Sequence, residues 1–102
     1  MSNDIFSKNG IPIRLTDERW LHITEEHCEL AGLRLEVLET MTNPLKILAG
    51  HHGKLMAIRE IENKFLVVIY REFEKDGFII TAFLTKRIKS LMGRKQIWPN
   101  SP

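Results

Sequence analysis

Residues 54–85 read KLMAIREIENKFLVVIYREFEKDGFIITAFLT, and their reading decides the fold. The run over 64–73 is dense in Val, Ile, Phe and Tyr, side chains that fit a pleated, half-buried surface. Turn signals bracket it: Glu62-Asn63 on one side, Glu74-Lys75-Asp76-Gly77 on the other, with Asp-Gly a strong hairpin dipeptide. The pattern predicts three antiparallel strands over 54–61, 64–73 and 78–85. Turn lengths then set which side chains share a face. A two-residue loop at Glu62-Asn63 pairs Ile61 with Lys64, hence Arg59 with Leu66 and Ala57 with Val68. A loop over 74–77 pairs Phe73 with Phe78, hence Tyr70 with Thr81. Arg59, Leu66, Val68, Tyr70, Thr81, Phe83 and Thr85 are therefore expected on one face. The opposite face, from Met56 and Ile58 through Val67 and Ile69 to Ala82 and Leu84, is almost purely apolar and is expected to be the core. A sheet apolar on both faces, with few helices to cover it, suggests a partner or a homodimer contact through the sheet.

Upstream of this block the period changes. Thr16 followed by Asp17 and Glu18 is an N-cap signal with acids in the first turn, so a first helix is expected from Thr16 to about Gly32. Trp20, Ile23 and His27 fall on its apolar stripe, and His22 points away with Glu25, Glu26 and Glu29. A second helix is expected over 33–42, ended by Asn43-Pro44. A short strand is expected over 45–49, and a turn at His51-His52-Gly53. Residues 1–13 read as a flexible arm with turn chemistry at Asn9-Gly10. After the last strand, 86–92 reads as a short basic helix stopped by Gly93. The expected class is α+β: N-terminal helices packed on a four-stranded antiparallel β-meander, with a short basic C-terminal helix. The 102 residues suit one domain, with its core at about 13–98 and a flexible C-terminal tail.

Composition narrows the function classes. Cys28 is the single cysteine, which excludes an internal disulfide framework and argues against a cysteine metal site. No apolar run of signal-peptide form opens the chain, and no run is long enough to span a membrane, so a cytoplasmic protein is expected. All acids lie at or before Asp76, whereas residues 77–102 carry Lys86, Arg87, Lys89, Arg94 and Lys95. Such a single-sign segment creates a positive local field. It is either a solubilising end or a site for a polyanion, and an acidic protein would be drawn to it as readily as nucleic acid.

Four histidines raise the question of a metal. His22 and His27 are five apart, on different sides of a helix, and HITEEH misses the zinc-protease spacing. No metal and no cofactor is expected. His27, on the apolar stripe, is either a core histidine or a general acid or base. The expected register places it near Arg59, Tyr70, Thr81 and Thr85. Arginine matches phosphate oxygens, and hydroxyls can hold a phosphate or a base. These parts suit RNA cleavage in which the 2′-hydroxyl is the nucleophile. Such a reaction needs a base, an acid and cations on the phosphate. Lys54, Arg71, Lys86, Arg87 and Lys89 would then track the RNA backbone. His22 is the alternative catalytic histidine.

The segments IPIRLTDERWLHITEEHCEL, KLMAIRE, FLVVIYRE, DGFIITAFLTKRI and KQIW resemble a family of small bacterial and phage-associated proteins. That family is assigned to the barnase–EndoU–colicin–RelE-like nuclease fold. The resemblance runs over about 13–98. It is most specific in ERW-x-HI-x(3)-H and DGFI-x-TAFLT. It implies metal-independent RNA cleavage, often as a toxin in a toxin–antitoxin pair or as a polymorphic toxin tip, and an acidic antitoxin is the expected protein partner. Residue by residue, it maps the helix histidine to His27, with His22 beside it. The strand cation maps to Arg59, the strand-three pair to Tyr70 and Arg71, and the last-strand hydroxyls to Thr81 and Thr85, followed by Lys86. Cys28 stands where the family has proline, a change that bears on helix shape rather than chemistry.

Overall fold

The computed structural model describes residues 5–99. Seven strands form one mixed sheet in the order β1-β2-β6-β5-β4-β3-β7. They are β1 (Ile5–Phe6), β2 (Pro12–Arg14), β3 (Lys46–Ala49), β4 (Leu55–Ile61), β5 (Lys64–Glu72), β6 (Gly77–Thr85) and β7 (Gln96–Trp98). Among the described residues three α-helices accompany it: α1 (Asp17–Glu26), α2 (Arg34–Thr42) and α3 (Lys89–Met92). The expected four-stranded meander is therefore corrected. Residues 5–13, expected as part of a flexible arm, add together with Arg14 a strand pair at one edge, and residues 96–98 add a strand at the other. One pairing, β2 with β6, is parallel. Residues 1–4 of the expected arm, and most of the expected tail, lie outside the described residues.

The outer strands are tied together rather than left splayed. Lys8, in the β1–β2 turn, stands over the Trp98 ring of β7 at 4.7 Å from its centroid, so the sheet curls enough to bring its two ends into contact. Ser7 and Asn9 both donate to the Glu72 carboxylate at the end of β5. Thr42, at the end of α2, donates to the Phe6 carbonyl. These contacts seat the N-terminal strands against the body of the domain.

The β4–β5 hairpin follows the sequence pattern. Glu62 and Asn63 both take positive φ, as a two-residue hairpin loop requires, and Ile61 pairs with Lys64. The β5–β6 hairpin does not. Glu72 pairs with Gly77 and Tyr70 with Ile79, but Ile69 pairs with Thr81. Ile80 is the extra residue of a β-bulge, and one extra residue flips the parity of everything beyond it. The expected Tyr70–Thr81 pair is thus overturned. Thr81, Phe83 and Thr85 lie opposite Ile69, Val67 and Phe65, and Ala82 and Leu84 turn to the other side with Val68 and Leu66.

The core assignment reverses with it. Ile23 and Leu30, with Val37 and Met41 of α2, pack on Ala57, Leu66, Val68, Tyr70, Ile79 and Ala82. This helix-covered face, not the Met56–Ile58 face, is the main core. Burying each such Leu, Ile or Val contributes about 1.5–3 kcal/mol. The outer face holds a smaller cluster, Leu48, Met56, Ile58 and Val67, partly covered by Ile88 and Leu91. The short C-terminal helix thus supplies some of the cover expected from a partner. Helix α1 opens as expected, with Thr16 Oγ1 accepting from the Arg19 N–H at 3.0 Å. It stops at Glu26, earlier than expected, and His27 leaves helical geometry at φ −130°. A 3-10 turn (Cys28–Leu30) then drops Leu30 into the core.

Two glycines give predictions of opposite sign. A Cβ on Gly77 would lie 2.7 Å from Ile13 Cδ1 and closer still to the Arg71 carbonyl oxygen, where β2 meets the β5–β6 hairpin. Gly77→Ala is expected to cost about 1–3 kcal/mol in denaturant unfolding, as overpacking does. Gly93 has ordinary helical angles and open space where its Cβ would stand. Gly93→Ala should be neutral or stabilising by up to about 1 kcal/mol. Equal effects at the two positions would contradict the close β2 approach.

Candidate functional site

The site follows from an edge and a bulge. Strand β2 pairs with β6 only at Gly77 and Phe78. Beyond Phe78, among the described residues, that edge of β6 has no strand partner, and α1 with the following turn lies alongside it. A groove of about 270 Å³ remains between them, walled by Arg19, His22, Glu26 and His27 of the α1 segment and by Ile80 and Thr81 of the bulge. The expected opposition of His22 and His27 does not hold at this groove. Because the helix ends at Glu26, the capping His27 lines the same cavity as His22.

His27 is half-buried, with its Nδ1 3.7 Å from a Glu29 carboxylate oxygen and its ring centroid 6.2 Å from that of Phe83. Phe83 belongs to a second groove, also of about 270 Å³, on the outer face of the sheet. Met56, Ile69, Phe83 and Leu91 form its floor, and Lys54, His51 and Arg94 its rim. No acidic side chain lines it. Ile80 and Thr81 line both grooves, so the bulge forms a wall common to the two. The rim is organised by hydrogen bonds. Arg94 donates to His51 Nε2, and Arg71 donates to the carbonyl of the adjoining His52.

The expected site residues divide accordingly. His27, His22 and Thr81 come together and Lys54 lines the outer groove, whereas Arg71 is not among its lining residues and donates to the His52 carbonyl. Arg59 does not join them. Its guanidinium pairs with Glu39 of α2 at 3.0 Å, in a structural contact between sheet and helix. Tyr70 is 1% exposed within the helix-covered core. Thr85 sits at the far end of β6 and accepts from the Arg87 N–H at 3.0 Å, which turns the chain toward α3. Lys86, Arg87 and Lys89 are exposed at that same end, some four residues or roughly 13 Å of strand from Thr81. Arg19 and His51 are not among the expected site residues, although Arg19 has a signal, since it lies three residues before His22 on one helix face. Arg94 is expected only as part of the basic C-terminal segment, and its place at the groove depends on α3 folding back over the sheet. Among the described residues no group of three or more His, Cys, Asp or Glu is gathered to hold a metal, and no helix is long and apolar enough to cross a membrane.

Tyr70 provides a test of its structural role. Burial pushes its ionisation well above the ordinary phenol value of 10.0, and the Glu72 carboxylate adds to the effect. The unfolded chain loses this proton near pH 10 and the folded chain keeps it. The stability from this group is therefore complete below pH 10 and falls as pH rises further, by about 1.4 kcal/mol per pH unit. Tyr70 is the single tyrosine, so tyrosinate absorbance reads it alone. That absorbance is expected to rise only as the chain unfolds, and Tyr70→Phe should lose stability less steeply above pH 10. A tyrosinate signal from folded protein near pH 10 would instead put the hydroxyl in reach of solvent and substrate.

Comparison with known proteins yields no matching family model, no matching curated protein and no matching solved structure.

Proposed function

We propose that this chain is a metal-independent endoribonuclease of the toxin type. The observation that carries the reading is the convergence of His22, His27, Arg19 and Thr81 on one groove, which shares its Ile80–Thr81 wall with a second groove lined by Lys54 and Arg94 and by no acid. One histidine takes the proton of an RNA 2′-hydroxyl as its oxygen bonds to the adjacent phosphorus. The other gives a proton to the 5′-oxygen as its bond to phosphorus breaks. The products are a 2′,3′-cyclic phosphate and a free 5′-hydroxyl. Arg19 and the Thr81 hydroxyl hold the phosphate as charge builds on it, and Lys54, Arg71 and Arg94 draw in the flanking backbone. The resemblance in ERW-x-HI-x(3)-H and DGFI-x-TAFLT supports the same reaction class. An acidic antitoxin would be held by the basic rim. A lone, exposed Cys28 fits a reducing cytoplasm.

The test is cleavage of total RNA and of a tRNA pool, with EDTA present, by purified wild-type protein, His27→Ala and His22→Ala. Wild type is expected to cut and leave cyclic-phosphate ends. Each variant should be at least about a hundredfold slower with its unfolding temperature unchanged, the usual loss of a general acid or base. No cleavage by folded, partner-free wild type would overturn the reading.

A second reading is a non-catalytic RNA- or protein-binding module. It is favoured by the structural employment of Arg59 and Tyr70, two residues the resemblance had marked for chemistry. It requires salt-sensitive binding that survives His27→Ala and fails when Lys86, Arg87 and Lys89 are neutralised together.

A further inference from the structure

We infer that the outer groove is a subsite for one unpaired nucleotide, with its base lying on Phe83 and its phosphate on Lys54 and Arg94. The substrate is then single-stranded RNA. The inference rests on the proposal that this chain acts on RNA.

The lining, size and position of the groove carry it. The groove has an apolar floor and two permanent cations at its rim, with no acid among its lining residues. That division suits a molecule with a flat apolar body and an anionic end. Its volume of about 270 Å³ is at the small end for ligand pockets, which suits one nucleotide rather than a folded helix or a peptide. Phe83 is only half-buried, so part of its ring remains available as a stacking platform. Such platforms serve unpaired bases, whose faces are free. The Phe83 and His27 rings are 6.2 Å apart, so a base on Phe83 sets its ribose beside the histidine groove. Ile80 and Thr81 form a wall common to both grooves, which places the next phosphate close to the histidine groove. Arg94 donates to His51 Nε2 at the rim.

The test is fluorescence anisotropy with a labelled hexanucleotide bearing 2′-O-methyl groups, which no 2′-hydroxyl mechanism can cleave. It is read on full-length wild type, Phe83→Leu, Phe83→Trp, Lys54→Ala and Arg94→Ala. The single strand should bind, and the same strand annealed to its complement should bind at least about tenfold more weakly. Phe83→Leu, which keeps the apolar cover, should lose roughly tenfold in affinity, and Phe83→Trp should restore it. Lys54→Ala and Arg94→Ala should each lower the salt dependence by about one phosphate contact. Equal affinity of wild type and Phe83→Leu would overturn the inference, as would equal binding of strand and duplex. So would displacement of the strand by hexaglutamate with the same dependence on Phe83, because the groove would then be a site for acidic peptides. Binding that meets these expectations without cleavage in the RNA assay leaves the subsite standing and removes the nuclease. Cleavage that is indifferent to Phe83→Leu does the reverse.

Discussion

The pairing of β5 with β6 sets everything else in this domain, because it must satisfy two demands that a regular ladder cannot meet together. Near the hairpin, Gly77 has to face the approach of β2, with Ile79 and Tyr70 turned into the core. Further along, Ala82 has to face the helices, where it is fully buried. Ile79 and Ala82 are three apart, an odd spacing, and an unbroken strand would put them on opposite faces. The bulge at Ile80 resolves the conflict by one residue. Its consequence is that Ile80 and Thr81 both open toward the grooves, at the point where the edge of β6 is free of β2. The site is thus a by-product of how the core is closed.

That dependence explains which parts of the fold the sequence disclosed. The central strands could be read from Val, Ile and aromatic density, and the β4–β5 register from Glu62-Asn63, because the information is local. The bulge is not local. It is required by Ala82 meeting helices that lie about fifty residues upstream, and no spacing within 64–85 announces it. The added strands were equally hidden. Strands β1, β2 and β7 have two or three residues each, too few to show alternation, and they join the sheet through distant partners: Ile13 with Gly77, Ile47 with Trp98. What holds them is contact rather than pattern, such as Ser7 and Asn9 on Glu72 or Lys8 over Trp98.

The candidate site was legible to the same extent. His27 could be picked from the stripe it shares with Trp20 and Ile23. His22 could not be joined to it, because a helix continuing to Gly32 would keep them on different sides. The observed helix ends at Glu26, and the cap brings His27 round. Arg59 and Tyr70 looked like site residues because they share a face with the expected threonines. The face was right for them and wrong for Thr81 and Thr85. Without the threonines it is simply the underside of the helices, where Arg59 meets Glu39 and Tyr70 fills space.

The arrangement of charge gives the site a direction. Along α1 the walls include Glu26, and the adjoining cavity of about 360 Å³ adds Glu18. An RNA strand laid along that helix would bring its phosphates against carboxylates. Over the outer face the opposite holds, with Lys54 and Arg94 at the rim of a groove that no acid lines. On the proposed ribonuclease reading, a polyanion would come in from the outer face and meet the histidines at Thr81, and the acids beyond them would limit how far it passes. The cations would then select the approach, and His22 and His27 would act on the one phosphate brought to the wall that the bulge forms.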